Sequence, residues 1–252
     1  MNIETYGTGN RLAFAAEYSR NLQSKHIVLL PIPTTKDKIH VNGTNILLEE
    51  TLCNVTRGSV VVGYSLPDEY VSSVKLRGGR TLDLLCDEDF LKENSYATAV
   101  GCVEYILTSS QSLPNDVTFG IVGYGRIGKE LLRILLFLGG RVKIFTTKKE
   151  KLISLGSVGI ECELAKDDGN FDFQGIEILI NTAPCDMRNS FPSLSIPSGM
   201  RIIELASGNN FDGISGIERL PSLPEKAYPR SAGRAYCESI ERFLSRNGEW
   251  GV

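Results

Sequence analysis

The sequence predicts an α/β protein of two domains, each built on a parallel sheet. Three observations predict this class. The segment from Val117 to Lys151 has the pattern of a strand, a glycine-rich turn, a helix and a second strand. Short apolar runs alternate with helical patterns on both sides of that segment, which is typical of parallel sheets. The 252 residues of the chain are enough for one large or two small domains.

The N-terminal domain, residues 1–93, is predicted to be a small parallel α/β layer that carries the substrate side of any active site. Its apolar runs, such as SVVVG, indicate buried strands, and apolar residues at helical spacing indicate helices. The predicted strands cover residues 1–6, 26–32, 59–63 and 81–85. The predicted helices cover residues 12–22, 45–55 and 67–75.

Residues 94–116 are predicted to form a connecting helix and a linker. The helix is placed at Ser95–Ser110, where alanine, glycine and cysteine indicate close packing, and the polar stretch 87–95 is interpreted as the domain boundary. The second domain follows over residues 117–228, with residues 221–229 predicted to be loop. The last segment, 229–252, is predicted to be a C-terminal helix that packs back toward the first domain.

The central segment carries glycines in the pattern G-x-G-x-x-G at Gly123, Gly125 and Gly128. They follow an apolar run and open an amphipathic segment, the context that the dinucleotide-binding fingerprint requires. The first glycine permits a tight turn, the second lets the backbone approach a pyrophosphate, and the third lets the helix pack on the sheet. We therefore predict a Rossmann doubly wound NAD(P)-binding domain. The alternative is a plain strand–turn–helix.

The end of the second predicted strand indicates which nucleotide binds. NAD-binding members of this fold place a carboxylate there for the ribose 2′-hydroxyl. Here the strand runs into Thr146, Thr147, Lys148 and Lys149. Hydroxyl and ammonium groups suit a 2′-phosphate, so we predict NADP in preference to NAD. The alternative is that the lysines begin a solvated helix face.

Ligands of open α/β sheets bind beyond the carboxyl ends of the strands, and this rule selects the candidate residues. The predicted cofactor-binding residues are Gly123, Tyr124, Gly125, Arg126, Ile127, Gly128, Thr146, Thr147, Lys148, Asn181, Thr182, Ala183, Pro184, Ala206 and Ser207. A cleft between the two domains would be walled by these loops and by the loops of the first domain.

No catalytic residue is predicted. Both histidines, His26 and His40, lie outside the nucleotide-binding domain, and neither a Ser-His-Asp set nor a metal-ligand spacing is present. Hydroxyl and cationic residues remain as candidates on the substrate side: Thr34, Thr35, Lys36, Ser65, Lys226, Arg230 and Arg234. Because arginine and lysine pair with carboxylates, we expect a small anionic substrate, such as a dicarboxylate. The alternative is that these are surface residues.

The composition and net charge of the chain limit the classes of partner that we expect it to bind. The net charge of −3 leaves no basic field for nucleic acid. The most apolar run, Leu131–Leu138, is too short for a membrane span. The start lacks the regions of a signal peptide, and the six cysteines are scattered. We therefore expect no zinc site, no disulfide framework and a cytoplasmic location, with a homodimer as the default assembly.

Several stretches together resemble the A-type component of dipicolinate synthase. They are LLPIPTTKD (29–37), NSYATAVG (94–101), GIVGYGRIGKELLRILLFLGGRVKIFTT (120–147), INTAP (180–184), IIELAS (202–207) and LPSLPEKAYPRSAGR (220–234). Related architecture occurs in D-2-hydroxy acid dehydrogenases. The resemblance implies an NAD(P)-dependent oxidoreductase of sporulation that converts a cyclic dicarboxylate of the lysine pathway to dipicolinate, and its implied partner is the flavoprotein B component. It also implies that Asn181–Pro184 face the nicotinamide and that Thr34 and Thr35 face the substrate.

The chain departs from this family at its N-terminus. Family members begin with a full strand, glycine turn, helix and strand before the LP-x-P strand, and their turn has the form GGD-x-R. Here the helix passes almost directly into HIVLLPI, so a strand is predicted to be missing, although Arg11 remains. Two alternatives follow: an NADP-dependent reductase of another small carboxylate, or a non-catalytic nucleotide-binding or assembly protein.

Overall fold

The computed structural model describes residues 2–22, 26–166, 171–184, 186–187, 197, 199–208 and 210–246. The chain divides into two compact units, one formed by residues 1–94 with 224–252 and the other by residues 95–223. Each unit contains one parallel sheet, so the predicted α/β fold class is confirmed.

The sheet of the first unit has four parallel strands in the order β1-β2-β3-β4. The strands are β1 (Asn2–Thr5), β2 (His26–Leu29), β3 (Val60–Gly63) and β4 (Arg80–Asp83). Strands β2 and β3 are buried along their whole length. Their continuous apolar runs are typical of strands covered on both faces.

Helices cover both faces of this sheet because successive side chains point to opposite sides. Ile27 and Leu29 pack with α1 (Asn10–Ser19) and α7 (Pro229–Arg246). Val28 and Leu30 pack with a 3₁₀ helix and α2 on the other face. These elements are the 3₁₀ helix Leu48–Asn54 and α2 (Asp68–Leu76).

The connections of the first sheet do not share one hand. Each successive connection moves one strand in the same direction across the sheet, yet α1 lies on one face and the next two connecting elements lie on the other. The β1–α1–β2 connection is therefore opposite in hand to the two that follow, whereas parallel crossovers are normally right-handed. A further strand beyond β1, with a helix leading from it to β2, would give all the connections one hand. That a strand is missing here stays a prediction.

The sheet of the second unit has six parallel strands in the order β7-β6-β5-β8-β9-β10. They are β5 (Thr118–Val122), β6 (Arg141–Thr146), β7 (Glu161–Leu164), β8 (Ile178–Asn181), β9 (Arg201–Glu204) and β10 (Ile217–Arg219). This is the doubly wound order 3-2-1-4-5-6, whose switch point lies between the first and fourth strands. The remaining α-helices are α3 (Glu88–Ser109), α4 (Arg126–Phe137), α5 (Lys149–Gly156) and α6 (Leu223–Ala227).

Three predicted elements need correction. The helix expected at Ser95–Ser110 begins at Glu88, because Phe90 and Leu91 are buried in the first unit's core and the Asp87 carboxylate accepts hydrogen bonds from the first-turn N–H groups. The predicted loop 221–229 contains α6. The helix expected at 45–55 is a shorter 3₁₀ helix. At the start of α3, burial of side chains in the folded protein outweighs the polar local sequence.

An ion pair in the second unit makes its stability depend on pH. The Glu218 carboxylate accepts hydrogen bonds from Arg201 Nε at 2.9 Å and Nη2 at 2.8 Å, and from the Tyr105 hydroxyl at 2.9 Å. The bonds from Arg201 lower the pKa of Glu218. A lowered carboxylate pKa stabilises the fold above the ordinary value, and this stabilisation is lost as the pH falls through the folded-state pKa.

We therefore expect Glu218→Gln to lower the free energy of unfolding by about 1–2 kcal/mol at pH 7. The deficit should shrink as the pH falls through the lowered folded-state pKa of Glu218, because the carboxylate then becomes protonated in both states. Urea unfolding at pH 7 and at successively lower pH values measures it. Glu161→Gln is the control, because the Glu161 side chain is 69% exposed and lies 3.5 Å from Lys143, so its loss should cost under about 0.5 kcal/mol. A pH-independent deficit for Glu218→Gln would contradict the linkage.

Candidate dinucleotide-binding site

A cavity of about 410 Å³ lies in the second unit at the carboxyl ends of β5, β6 and β8. This is the edge where doubly wound sheets bind ligands. The predicted residues among its lining are Gly123, Tyr124, Gly125, Thr146, Thr147, Lys148, Thr182, Ala183 and Pro184. The cavity thus gathers residues from three separate loops that the sequence had singled out.

Two glycines of the turn are required by the packing of the protein itself. Gly123 has a φ of +93°, and a Cβ there would lie 2.9 Å from Thr182 Oγ1 and from Ala183 Cβ. A Cβ at Gly128 would meet the carbonyl oxygen of Gly123 at 2.2 Å. The Thr182 hydroxyl donates to the carbonyl oxygen of Val122 at 2.9 Å. These contacts hold the turn against β8.

Gly125 differs from those two, because nothing in the protein requires a glycine there. Its φ is −86°, which any residue adopts, and a Cβ at this position would meet no atom within 4 Å. Gly125 is the N-cap of α4, whose first turn carries no side-chain cap and no acidic residue. The free N–H groups of that turn and the open space above Gly125 fit an approaching anionic group such as a pyrophosphate.

The end of β6 supplies cationic groups. Thr146 is buried, and its hydroxyl oxygen accepts a hydrogen bond from the Lys148 N–H at 3.2 Å, so this side chain shapes the loop. Thr147 and Lys148 are exposed and line the cavity. Lys151, on the first turn of α5, lines it as well. Sequence reasoning missed Lys151, although it lies only three residues after Lys148, the N-cap of α5.

Aromatic and apolar side chains form one wall of the cavity. Phe171 and Met187 line it, and the Phe171 ring packs edge-to-face on Phe145 with centroids 5.4 Å apart. Asp186 adds a carboxylate to the same rim. None of these residues was predicted, because they belong to a segment without a clear periodic pattern. An apolar wall of this kind suits the flat rings of a dinucleotide.

Asn181 is fully buried and acts on the loops instead of lining the cavity. Its Nδ2 donates to both oxygens of Glu204, at 3.1 and 3.2 Å, and its Oδ1 accepts from the Ala183 N–H. Glu204 also accepts from the Ala206 N–H at 2.8 Å and from Asn210 Nδ2. One buried carboxylate therefore links the loops after β8 and β9. Burial raises the pKa of Glu204, although the hydrogen bond from Asn181 opposes this.

Several predicted residues lie near the cavity without lining it. Arg126 is exposed at the start of α4, Ile127 is half-buried, and Gly128 is buried within the helix. Ala206 and Ser207 follow β9 beside Glu204. Glu204 and Asn210 were missed by sequence reasoning, and the buried acid at the end of the apolar run MRIIEL was the available signal.

The substrate-side candidates belong to the first unit, and several of their polar groups already have partners. Thr34 is buried, and its hydroxyl oxygen accepts the Tyr64 N–H at 2.7 Å. The Thr35 hydroxyl donates to Asp37 at 3.1 Å. Ser65 has a φ of +57°, and its N–H donates to Asp83. These groups hold the loops after β2 and β3.

The cationic candidates Lys36, Lys226 and Arg234 are exposed. Arg230 is also exposed and lies over the Phe14 ring, 5.4 Å from its centroid. In the part of the chain that the structure describes, no group of three His, Cys, Asp or Glu residues is placed to hold a metal ion. No helix within the described ranges is both long enough and apolar enough to cross a membrane.

Neither protein-family models nor curated protein sequences give a match to this chain. Solved structures, in contrast, do match it. The A-type component of dipicolinate synthase from Bacillus halodurans aligns with a TM-score of 0.77 at 20% identity over 97% of each chain. Its counterpart in the dipicolinate synthase of Bacillus subtilis aligns with a TM-score of 0.78 at 17% identity, over 98% of this chain and 96% of that one.

The chain has the fold of the dipicolinate synthase A component. The resemblance predicted from the sequence is thus confirmed at the level of the fold. The architecture is also similar to that of the apo-structure of D-lactate dehydrogenase from Escherichia coli, which aligns with a TM-score of 0.54 at 14% identity over 99% of this chain and 98% of that one.

Proposed function

We propose that this protein is an NADP-dependent oxidoreductase of a small carboxylate. The observation that carries the proposal is Gly125, a glycine that neither its backbone nor its neighbours require and that leaves open space above the N-terminus of α4. Together with the cavity beside it, this arrangement fits a dinucleotide pyrophosphate. A bound nicotinamide supplies hydride transfer, and the protein contributes position and charge.

The preference for NADP rests on charge. Thr147, Lys148 and Lys151 lie at the end of β6 and line the cavity, where NAD-binding proteins of this fold place a carboxylate. Glu150 lies in the first turn of α5 but is exposed. A doubly charged 2′-phosphate is attracted by the two ammonium groups and can accept hydrogen bonds from them.

For the substrate, we propose the cyclic dicarboxylate that the resemblance to dipicolinate synthase implies, oxidised to dipicolinate. The fold shared with the A components from two Bacillus species supports this choice. A flavoprotein B component as partner, a homodimer and a cytoplasmic location belong to the same proposal. The described cysteines are all free thiols, which agrees with a reducing compartment.

The test uses the purified full chain. NADPH and NADH are titrated separately by fluorescence, and we expect NADPH to bind at least about tenfold more tightly, since one charged contact contributes about 1.5 kcal/mol. The product of dihydrodipicolinate synthase is then supplied with NADP⁺ as hydride acceptor, with and without the flavoprotein B component. Formation of NADPH with dipicolinate is the expected result.

The two measurements separate the alternatives. Tight NADPH binding without any turnover, with or without the B component, would contradict the dipicolinate assignment and favour a non-catalytic nucleotide-binding protein. Turnover with another small carboxylate would retain the oxidoreductase and replace the substrate. Failure to bind either nucleotide would refute the proposed function as a whole.

A further inference from the structure

A buried arginine of the first unit is not part of the dinucleotide-binding site described above. Arg11 lies in the first turn of α1 and is only 5% exposed. Its Nε has no hydrogen-bond partner among the residues that the structure describes. No carboxylate of the described chain makes an ion pair with it, although the Glu225 carboxylate lines the same cavity. A buried guanidinium nitrogen without a hydrogen-bond partner is costly, so its retention points to a ligand.

The backbone around Arg11 is also arranged for an anion. Gly7 and Gly9 precede α1 with φ values of +110° and +131°, and Gly9 is the N-cap of this ten-residue helix. The first turn has neither a side-chain cap nor an acidic residue. Free N–H groups and the helix dipole therefore favour negative charge at the same end of α1 where Arg11 lies.

The chain's own Glu225 carboxylate already lies at this position. A Cβ at Gly9 would lie 1.7 Å from Glu225 Oε1, so this oxygen occupies the space above the N-cap. Arg11, Thr8 and Glu225 line a cavity of about 10 Å³ with the end of β2 and Tyr236. The hydroxyl of Tyr236 donates to the carbonyl oxygens of Leu30 and Val62, which closes the floor of the site.

We propose that Arg11 and the N-terminus of α1 bind one carboxylate group of a small organic acid, which exchanges with the Glu225 carboxylate. The cavity is too small to hold a second carboxylate beside Glu225, and two like charges so close repel each other. The group already seated there is a carboxylate, so this class of anion fits the position. A guanidinium binds it with two parallel N–H bonds. That this acid is the substrate rests on the proposed function; the binding itself does not.

The experiment uses isothermal titration of the full chain with pyridine-2,6-dicarboxylate in metal-free buffer, and pyridine-2,6-dicarboxamide as the neutral analogue. The dicarboxylate should bind and the dicarboxamide should not. Arg11→Gln should weaken binding at least about tenfold, as expected for loss of a charge-assisted contact. The control is Arg20→Gln, which makes the same change at the exposed far end of α1 and should leave the affinity unchanged.

Glu225→Ala should have the opposite effect, because it removes the competing charge and enlarges the cavity. We expect its affinity for the dicarboxylate to rise severalfold. Arg11→Gln should keep or raise the melting temperature without ligand, since it removes a buried charge without a partner. If Arg11 and Glu225 serve only to stabilise the fold, both variants should lose stability. Neither should then change the affinity for the dicarboxylate.

Three results would overturn the proposal: no binding of the dicarboxylate, equal binding by Arg11→Gln, or tighter binding of inorganic phosphate than of the dicarboxylate. NADPH is titrated into the same variants and should bind all of them equally, because its proposed site lies in the other unit. If the unmodified protein binds NADPH but not the dicarboxylate, the result counts against the Arg11 proposal alone. Absence of NADPH binding counts against the proposed function.

Discussion

Replacing Gly125 with valine is expected to weaken NADPH binding at least about a hundredfold, or about 2.8 kcal/mol, without destabilising the protein. A Cβ at this position would meet no protein atom within 4 Å, so we expect the fold to accept the small branched side chain. The same side chain would fill the space above the N-terminus of α4, where the pyrophosphate is proposed to lie. Fluorescence titration with NADPH and a thermal melt of the nucleotide-free protein measure the two quantities.

Gly156→Val is the matched control for this variant. Gly156 is also a glycine without a positive φ and with no atom within 4 Å of a built Cβ, but it lies at the end of α5, away from the cavity lining. Its affinity for NADPH should equal that of the unmodified protein. If Gly125→Val binds NADPH normally, the pyrophosphate does not lie over this turn, whatever the stability of the variant.

Replacing both Lys148 and Lys151 with alanine should abolish the preference for NADPH over NADH. Each ammonium group that contacts the 2′-phosphate is expected to contribute about tenfold in affinity, so the double variant should bind NADPH about a hundredfold less tightly. NADH lacks that phosphate, and its affinity should stay the same. The preference should also decrease with added salt in the unmodified protein, because both lysines lie near solvent.

Lys149→Ala tests whether position matters or only net charge. Lys149 is exposed and adjacent to Lys148 in sequence, but it does not line the cavity. Replacing Lys149 with alanine changes the net charge by the same amount as replacing Lys148 or Lys151 alone. It should leave the affinities for NADPH and for NADH unchanged. Equal losses of NADPH affinity in Lys149→Ala and in Lys148→Ala would show that the lysines act through the net charge of this surface and not through contact with the 2′-phosphate. An unchanged preference in the double variant would contradict the assignment of this loop to the 2′-phosphate.

The glycine-rich turn between β5 and α4 was predictable because its constraints are local. A strand, three glycines and an amphipathic helix follow one another within 117–138, and each glycine has a distinct steric reason for its identity. The sequence did not distinguish those reasons. Only the folded structure separates Gly123 and Gly128, which the protein's own packing requires, from Gly125, which it does not.

Helix boundaries and buried polar contacts were less predictable, because they depend on residues far apart in the chain. The start of α3 at Glu88 follows from burial of Phe90 against strands and helices of the first unit. Glu204 is a buried carboxylate whose partners lie 23 and 6 residues away. Local patterns of hydrophobicity do not contain such pairings, so the polar sequence around residue 88 was not recognised as helical.

The sequence by itself determined the α/β class, the glycine-rich turn after β5 and the cationic end of β6, because periodicity and steric demands act within a few residues. Only the tertiary structure decided which side chains share a cavity, since Lys151, Phe171 and the loop after β8 meet there from separate segments. It also showed that Arg11 is buried beside Glu225, more than two hundred positions away along the chain. Burial and charge pairing are properties of the folded chain, because they depend on which distant residues the topology brings together.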